Sequence, residues 1–220
     1  MSPRTDVSPI TVHHPLFARF YARFSVAADK SAGIAGIRAE LLASLSGRVI
    51  EIGAGNGLNF PHYPATVGEV VALEPEGSLR ALALRAADGT GVPVEVVPGV
   101  AEALPVDSES FDAAVMSLVL CSVRDVPRAL REVRRVLRPG GELRFFEHGL
   151  ARTAGAARVQ RALDRTVWPR LFGGCHTARD TVAALEDAGF RGIRYERLRV
   201  PERGIAAPTS PCVLGVAHNP

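Results

Sequence analysis

The sequence predicts an α/β protein built on one mostly parallel sheet of seven strands, with helices on both faces. Three observations lead there. From residue 48 onward, β-rich runs alternate with segments of helical periodicity, the pattern of right-handed crossovers between parallel strands. The first β-rich run passes directly into a glycine-dense stretch, "EIGAGNGLNF" at residues 51 to 60. The last two β-rich runs have no helix between them, so one of them runs antiparallel, at or near a sheet edge.

The elements follow in order. Residues 1 to 12, broken by Pro3 and Pro9, read as a flexible tail. From His14 to Arg23, Phe17, Phe20, Tyr21 and Phe24 recur at spacings of three and four, which predicts a short amphipathic helix with an aromatic face. A second helix runs from about Ser31 to Leu45, with Ile34, Ile37, Leu41, Leu42 and Leu45 inward, and Gly47 ends it. Arg48 to Ile52 is the first strand. Leu58 to Tyr63 begins a helix that Pro61 and Pro64 cut short. Glu69 to Leu73 is the second strand, closing on Glu74-Pro75; Gly77 to Ala87 is a helix, Val92 to Val97 the third strand, and Asp112 to Leu118 a buried fourth, with "AEALPVDSESF" as the loop before it. Asp125 as N-cap and Pro127 in the first turn open the next helix, with Leu130, Val133, Val136 and Leu137 inward and "RPGG" as its stop. Glu142 to Phe146 is the fifth strand. Residues 150 to 174 read as helical with a Trp-Pro break, and Thr177 with Asp180 forms a capping-box pair before a helix ended by Gly189. Arg191 to Val200 and Cys212 to Ala217 are the last strands, joined by a proline-rich stretch. The chain thus reads as one domain over residues 13 to 220, a size that supports a substantial core.

Composition narrows the function classes. The net charge of +3 invites a nucleic-acid reading, but Lys30 is the sole lysine, and a uniform arginine bias resembles codon usage more than a binding footprint. Cys121, Cys175 and His176, with Cys212 far along the chain, lack metal-ligand spacing, so no metal is expected, and three widely spaced cysteines suit a reducing cytoplasm. The N-terminus is polar, without a signal-peptide core, and no apolar run reaches the ~20 residues of a membrane helix, so neither secretion nor a stable membrane anchor is expected.

The glycine stretch carries the functional signal. Gly53, Gly55 and Gly57 form G-x-G-x-G; the third glycine of a dinucleotide fingerprint would fall on Leu58. Glu51 precedes the loop, whereas a pyrophosphate loop gathers N–H groups and avoids carboxylates. Glu74 ends the second strand, where an acid accepts hydrogen bonds from both ribose hydroxyls. A ligand with a ribose diol and positive charge but no phosphate is S-adenosyl-L-methionine. The bland alternative is a tight turn with a solvated Glu51.

"VIEIGAGNGLNF", Glu74, "AEALPVDSESFDAAVMSLVLCSV" and "REVRRVLRPGGELRFFEH" resemble the successive motifs of class I S-adenosylmethionine-dependent methyltransferases over about residues 15 to 218. The resemblance implies a Rossmann-like sheet of order 3-2-1-4-5-7-6 with strand 7 antiparallel, N-terminal lid helices at about 13–46 and a helical insertion at about 150–178. It implies that Glu51, Gly53, Ala54, Gly55, Gly57 and Asn59 line the methionine arm. Glu74 and Pro75 hold the ribose, Ala101 and Glu102 border the adenine, and Ser117 and Leu118 lie under the cofactor. Many relatives carry an acid where Val100 stands, so Ala101 or Glu102 must contact the adenine amino group here. "LVLCSV", "RVLRPGGELRFFEH" and "FGGCHTARDTVAALEDAGF" are further similar to the methyltransferase-like alkyl-thiol S-methyltransferases and their bacterial relatives. That likeness implies a small-molecule acceptor, a thiol, with a soluble enzyme in place of the membrane-anchored animal form. Phospholipid ethanolamine head-group N-methylation, other small-molecule O-, N- or C-methylation, nucleic-acid methylation and cofactor binding without turnover are the competing readings.

Methyl transfer from a sulfonium is an in-line displacement that needs position and a dry pocket. His148, after the fifth strand, reads either as a proton acceptor for the incoming nucleophile or as a hydrogen-bonded strand-end histidine; alternation allows only one of Glu147 and His148 to serve the pocket. Cys121 borders the site as a small buried filler, His176 caps the pocket or is an ordinary loop residue, and Trp168 adds an apolar acceptor wall. Tyr21 either packs in the core or closes over the sulfonium as part of a lid.

Overall fold

The computed structural model describes residues 15–204 and 206–220. The expected N-terminal tail and His14 lie outside the described residues, as do the side chains of Phe17 and Phe20. The strands are β1 (Gly47–Ile52), β2 (Val67–Leu73), β3 (Val94–Val97), β4 (Phe111–Ser117), β5 (Leu137–His148), β6 (Arg191–Arg199) and β7 (Pro211–His218), in the order β3-β2-β1-β4-β5-β7-β6. β1 to β5 pair in parallel, and β7 runs antiparallel to both β5 and β6. Expected order and reversed strand both agree with this sheet. The helices are α1 (Pro15–Ser31), α2 (Ile34–Leu42), α3 (Gly77–Ala87), α4 (Val126–Val136), α5 (Ala154–Arg165), α6 (Trp168–Leu171) and α7 (Thr181–Asp187). Among the described residues, none of them is long and apolar enough to cross a membrane.

Alternation along each strand sends neighbours to opposite cores. Ile50, Met116 and Phe145 face one layer with Leu130 and Val133 of α4 and Leu185 of α7. Val49, Val115 and Phe146 face the other with Leu41 and Leu42 of α2 and Ala83 of α3. Cover on both faces is why residues 113–116 of β4 form an unbroken apolar run.

Several boundaries differ from the sequence reading, each for a local reason. "RPGG" does not separate α4 from β5: Leu137 already pairs with Phe111, and the register shifts before Ala113 pairs with Glu142. Gly140 there has φ +76°, and a Cβ on Gly141 would lie 2.9 Å from the Arg138 carbonyl, so the glycines form a bulge inside a longer strand. Left-handed Gly33 (φ +73°) splits α1 from α2, which lengthens the first helix to Ser31 and shortens the second. Asp180 alone is the N-cap of α7, accepting the Ala183 N–H at 3.2 Å; Thr177 instead gives its N–H and its hydroxyl to Asp164 (2.8 and 3.0 Å). The capping-box pairing of Thr177 with Asp180 is therefore corrected. Phe24 of α1 is 59% exposed, so it stands outside the core, while Tyr21 is half-buried.

Just past β7, buried Asn219 fastens the C-terminal strand to the α4–β5 junction. Its amide donates to the carbonyls of Arg134, Leu137 and Arg138 (3.1, 3.1 and 3.3 Å), and its oxygen accepts from Arg134 Nε at 3.1 Å. Asn219→Ala leaves these groups without partners and is expected to lower stability by about 2 kcal/mol in denaturant unfolding with an unchanged slope. A loss under about 0.5 kcal/mol, the range of an ordinary surface change, would contradict this role.

Candidate cofactor and acceptor site

The carboxyl ends of β1, β2, β4 and β5 converge on one crevice, the position where open α/β sheets bind ligands. After β1 the N–H groups of Gly53 and Ala54 both donate to the Leu73 carbonyl at 2.9 Å, folding the glycine loop across β2. The three glycines do different things. Gly53 has φ +72°, and a Cβ there would lie 2.6 Å from Val119; Gly57 has φ +80°, and a Cβ would lie 2.8 Å from Ala86 and Phe60. Those two are required by packing. A Cβ on Gly55, at φ +58°, would meet only the Tyr21 ring, at 3.6 Å, so this bare backbone is the part of the loop open to a ligand.

Around this loop lie buried carboxylates. Glu74 accepts the Gly55 N–H on Oε2 (2.8 Å) and the Glu76 N–H on Oε1 (2.9 Å). Burial, reinforced by the charge of Glu76, pushes its carboxyl up to about 7. Glu76 caps α3 through the Leu79 N–H (2.8 Å), while its buried Oε1 has no partner. A buried acceptor without a donor, beside a carboxylate with lone pairs to spare, fits the hydroxyl pair of a ribose. Glu51, 2% exposed, accepts from Tyr63 Oη (2.6 Å) and Asn59 Nδ2 (2.9 Å), and burial holds its carboxyl above the usual range. Asn59 Oδ1 in turn accepts from Arg38 Nη1 at 2.6 Å; the same nitrogen lies 3.3 Å from Ser117 Oγ, and Arg38 Nε pairs with Asp29 at 2.9 Å. Glu51 thus acts under the loop, through Asn59 and Arg38.

After β4 the chain turns sharply. Leu118 has φ +59°, a conformation that disfavours a side chain, and its N–H donates to the Phe146 carbonyl at 2.7 Å. Glu147, fully buried in β5, receives the N–H groups of Val119 and Leu120 on Oε1, each at 2.8 Å, with the Cys121 N–H 3.4 Å from Oε2. Burial pushes it up to about 7. The alternation rule therefore resolves as Glu147 shaping the post-β4 loop and His148 facing the other way. In the turn after β3, Ala101 is buried, and Glu102 accepts the N–H groups of Arg124 and Asp125 (2.8 and 3.2 Å), which ties it to the start of α4.

Cys121, His148, Trp168, Cys175 and His176 are brought together at the ends of β4 and β5. The His176 N–H donates to the Cys121 carbonyl at 2.8 Å, which lays Cys175 against Cys121. A hydrogen bond from Cys121, then the Trp168 indole, hold the Cys175 thiol below its usual range against burial; the same pairing and burial push Cys121 well up. Trp168 stacks on Phe172 (4.2 Å between centroids), and its buried Nε1 has no hydrogen-bond partner at ordinary distance. Burial lowers His148 to about 4, so its imidazole is neutral at physiological pH. Tyr21 reaches in from α1; burial raises its phenol to about 12, with Arg38, Cys121, Glu74 and Cys175 as charged or ionisable neighbours.

Arg38, Glu76 and Arg179 were not among the expected site residues. Arg38 had a signal: it sits four residues after Ile34 and three before Leu41, on the inward face of an apolar helix. Glu76 reads as an ordinary helix cap. Arg179, which donates to the Leu120 carbonyl and lies 3.2 Å from His176 Nδ1, has no distinguishing pattern.

A family model described as a methyltransferase domain matches residues 50–145. The human thiol S-methyltransferases TMT1A and TMT1B are 32% and 35% identical to this chain, covering 84% and 80% of it and 79% and 73% of their own lengths. A malonyl-[acyl-carrier protein] O-methyltransferase of Methylococcus capsulatus is 32% identical over 88% of this chain and 73% of its own. Among solved structures, a Thermotoga maritima protein described as an S-adenosylmethionine-dependent methyltransferase, possible histamine N-methyltransferase, superposes with a TM-score of 0.66. It is 23% identical and covers 94% of this chain and 99% of its own.

The division of labour among the glycines is measurable. Gly53→Ala combines left-handed strain with a clash and is expected to cost about 3 kcal/mol or more, whereas Gly55→Ala, strained but uncrowded, is expected to cost about 1 kcal/mol. Denaturant titration of the two variants distinguishes them; equal losses would refute the assignment.

Proposed function

We infer that this chain, which belongs to the class I S-adenosylmethionine-dependent methyltransferases, moves the methyl group of its cofactor to the sulfur of a small-molecule thiol. The observation that carries the thiol reading is the wall of Cys121, Cys175, His148 and Trp168 at the ends of β4 and β5, weakly polar and rich in sulfur. Identity above 30% to two human thiol S-methyltransferases supports it.

The residues present fit the cofactor. Glu74 and the unpartnered oxygen of Glu76 would accept the ribose hydroxyls. The bare backbone at Gly55 would admit the methionine arm, with Gly53 and Ala54 beside it. Arg38, steered by Asn59 and Ser117, would face the amino-acid carboxylate, and Tyr21 would close over the sulfonium. Ala101, Glu102, Pro75 and Leu118 would complete the enclosure. When bound, the cofactor supplies an electrophilic methyl group on sulfur. A thiol with a pKa near ~8.5 is already partly ionised at neutral pH, so the protein's task is to orient it in line and exclude water. The neutral His148 ring would accept a hydrogen bond from an S–H without carrying charge.

Incubation with methyl-labelled cofactor and a panel of acceptors tests this reading. Label is expected in the thioethers of small apolar thiols. Transfer to amines, phenols, ethanolamine head groups or malonyl thioesters, with none to any thiol, would overturn it.

The Glu74 carboxyl gives a second test. With its value raised to about 7 in the ligand-free protein, its carboxylate form fills as pH rises through that region. The ribose hydroxyls and the cofactor's positive charge both favour the carboxylate, so affinity should rise several-fold between about pH 6 and 7.5, bounded by tenfold per unit. Glu74→Gln should bind more weakly and lose that slope. Affinity falling with pH, or a slope kept in Glu74→Gln, would contradict the assignment.

A further inference from the structure

We propose that Cys121, His148 and Cys175 form a binding site for a thiophilic divalent cation, zinc by preference, with its fourth coordination position open to the acceptor pocket. One ligand atom from each of the three lies within 4.8 Å of the other two. A tetrahedral zinc bound to two sulfurs and one imidazole nitrogen needs ligand separations of about 3.3–3.8 Å. The three side chains therefore close on a cation with shifts of about an ångström.

They arrive from three separate elements at the same sheet edge: Cys121 from the turn after β4, His148 from the end of β5, Cys175 from the segment after α6. Each backbone is independently held. Glu147 gathers the N–H groups of the turn before Cys121. Opposite Cys212, His148 is fixed in the β5–β7 ladder. The Cys175 N–H donates to the Phe172 carbonyl at 3.0 Å, and the His176 N–H binds Cys121. The Thr209 backbone is hydrogen-bonded to the His148 ring, the kind of outer partner that orients a metal-ligating imidazole. Two thiols, one imidazole and no free carboxylate select zinc over magnesium or calcium.

Charge also balances. Binding releases two thiol protons to solvent and uses the lone pair of a neutral imidazole, so two thiolates offset the dication. Arg179 faces Cys121, Cys175 and Glu147, so its positive charge is opposed by the Glu147 carboxylate. Three protein ligands leave one position, which an acceptor thiolate would fill beside the methyl donor. Only this last point rests on the thiol reading; the metal site is tested without acceptor or cofactor, so failure of one is distinguishable from failure of the other.

The test is anaerobic titration of the reduced, chelator-treated protein with cobalt(II), followed by displacement with zinc. The expected result is one cobalt per chain, with thiolate-to-cobalt charge-transfer and tetrahedral ligand-field bands that zinc removes. Cys175→Ser and His148→Gln should weaken binding by about 100-fold or more, beyond what loss of an outer partner costs. Cys212, outside the trio, touches it only through its Sγ, 3.6 Å from His148 Nδ1; Cys212→Ser should still bind one cobalt, weakened no more than loss of an outer partner costs. Because Cys121 is buried, Cys175→Ser, at a half-exposed position, carries the test if Cys121→Ser fails to fold. Absence of charge-transfer bands, bands unchanged in Cys175→Ser, or a Cys121–Cys175 disulfide in place of metal uptake would overturn the proposal.

Discussion

Three carboxylates buried at the carboxyl edge of the sheet are the constraint on which the rest of the site depends. Glu51 in β1, Glu74 after β2 and Glu147 in β5 are 2%, 5% and 0% exposed. Desolvation raises each of them, and the opposing pull of Arg38 on Glu51, Arg80 on Glu74 and Arg179 on Glu147 does not offset it. Such burial is tolerable only if the oxygens are satisfied by donors, and the donors come from the loops that follow the strands. Tyr63 and Asn59 serve Glu51, the Gly55 and Glu76 amides serve Glu74, and the Val119 and Leu120 amides serve Glu147. Each acid therefore shapes a loop while setting the electrostatic sign of the crevice. The crevice they border offers carboxylate acceptors to hydroxyl and ammonium donors.

The same device joins the glycine loop to the cysteine cluster. Glu147 holds the turn that begins at left-handed Leu118, and that turn carries Val119 against Gly53 and Cys121 against Cys175. One carboxylate in β5 thereby fixes the floor of the glycine loop and one side of the cysteine cluster. Tyr21 bridges them, its ring beside Gly55 and Cys121 and Cys175 among its electrostatic neighbours.

Much of this was legible in the sequence because it follows from periodicity and spacing. The alternation of elements, the glycine trio and the acid ending β2 determine sheet class and crevice without tertiary information. The role of Glu51 was only half legible: its chemistry is written in the chain, but its engagement by Asn59 and Tyr63 depends on a short 3-10 turn at Phe60–His62. The α4–β5 bulge was read as a stop because "RPGG" is punctuation in either case. Convergence of Cys121, His148 and Cys175 was invisible, since residues 27 and 54 positions apart meet only after β4, β5 and the insertion are assembled. Arg38 stood in plain view on a helical face and was masked by its apolar neighbours.

The claim that buried acids select a phosphate-free cationic ligand is tested most directly by calorimetry of the ligand-free protein. S-adenosylmethionine and S-adenosylhomocysteine are expected to bind at one site per chain, while nicotinamide and flavin dinucleotides give no heat. Binding of a dinucleotide, with neither adenosyl compound bound, would contradict the account.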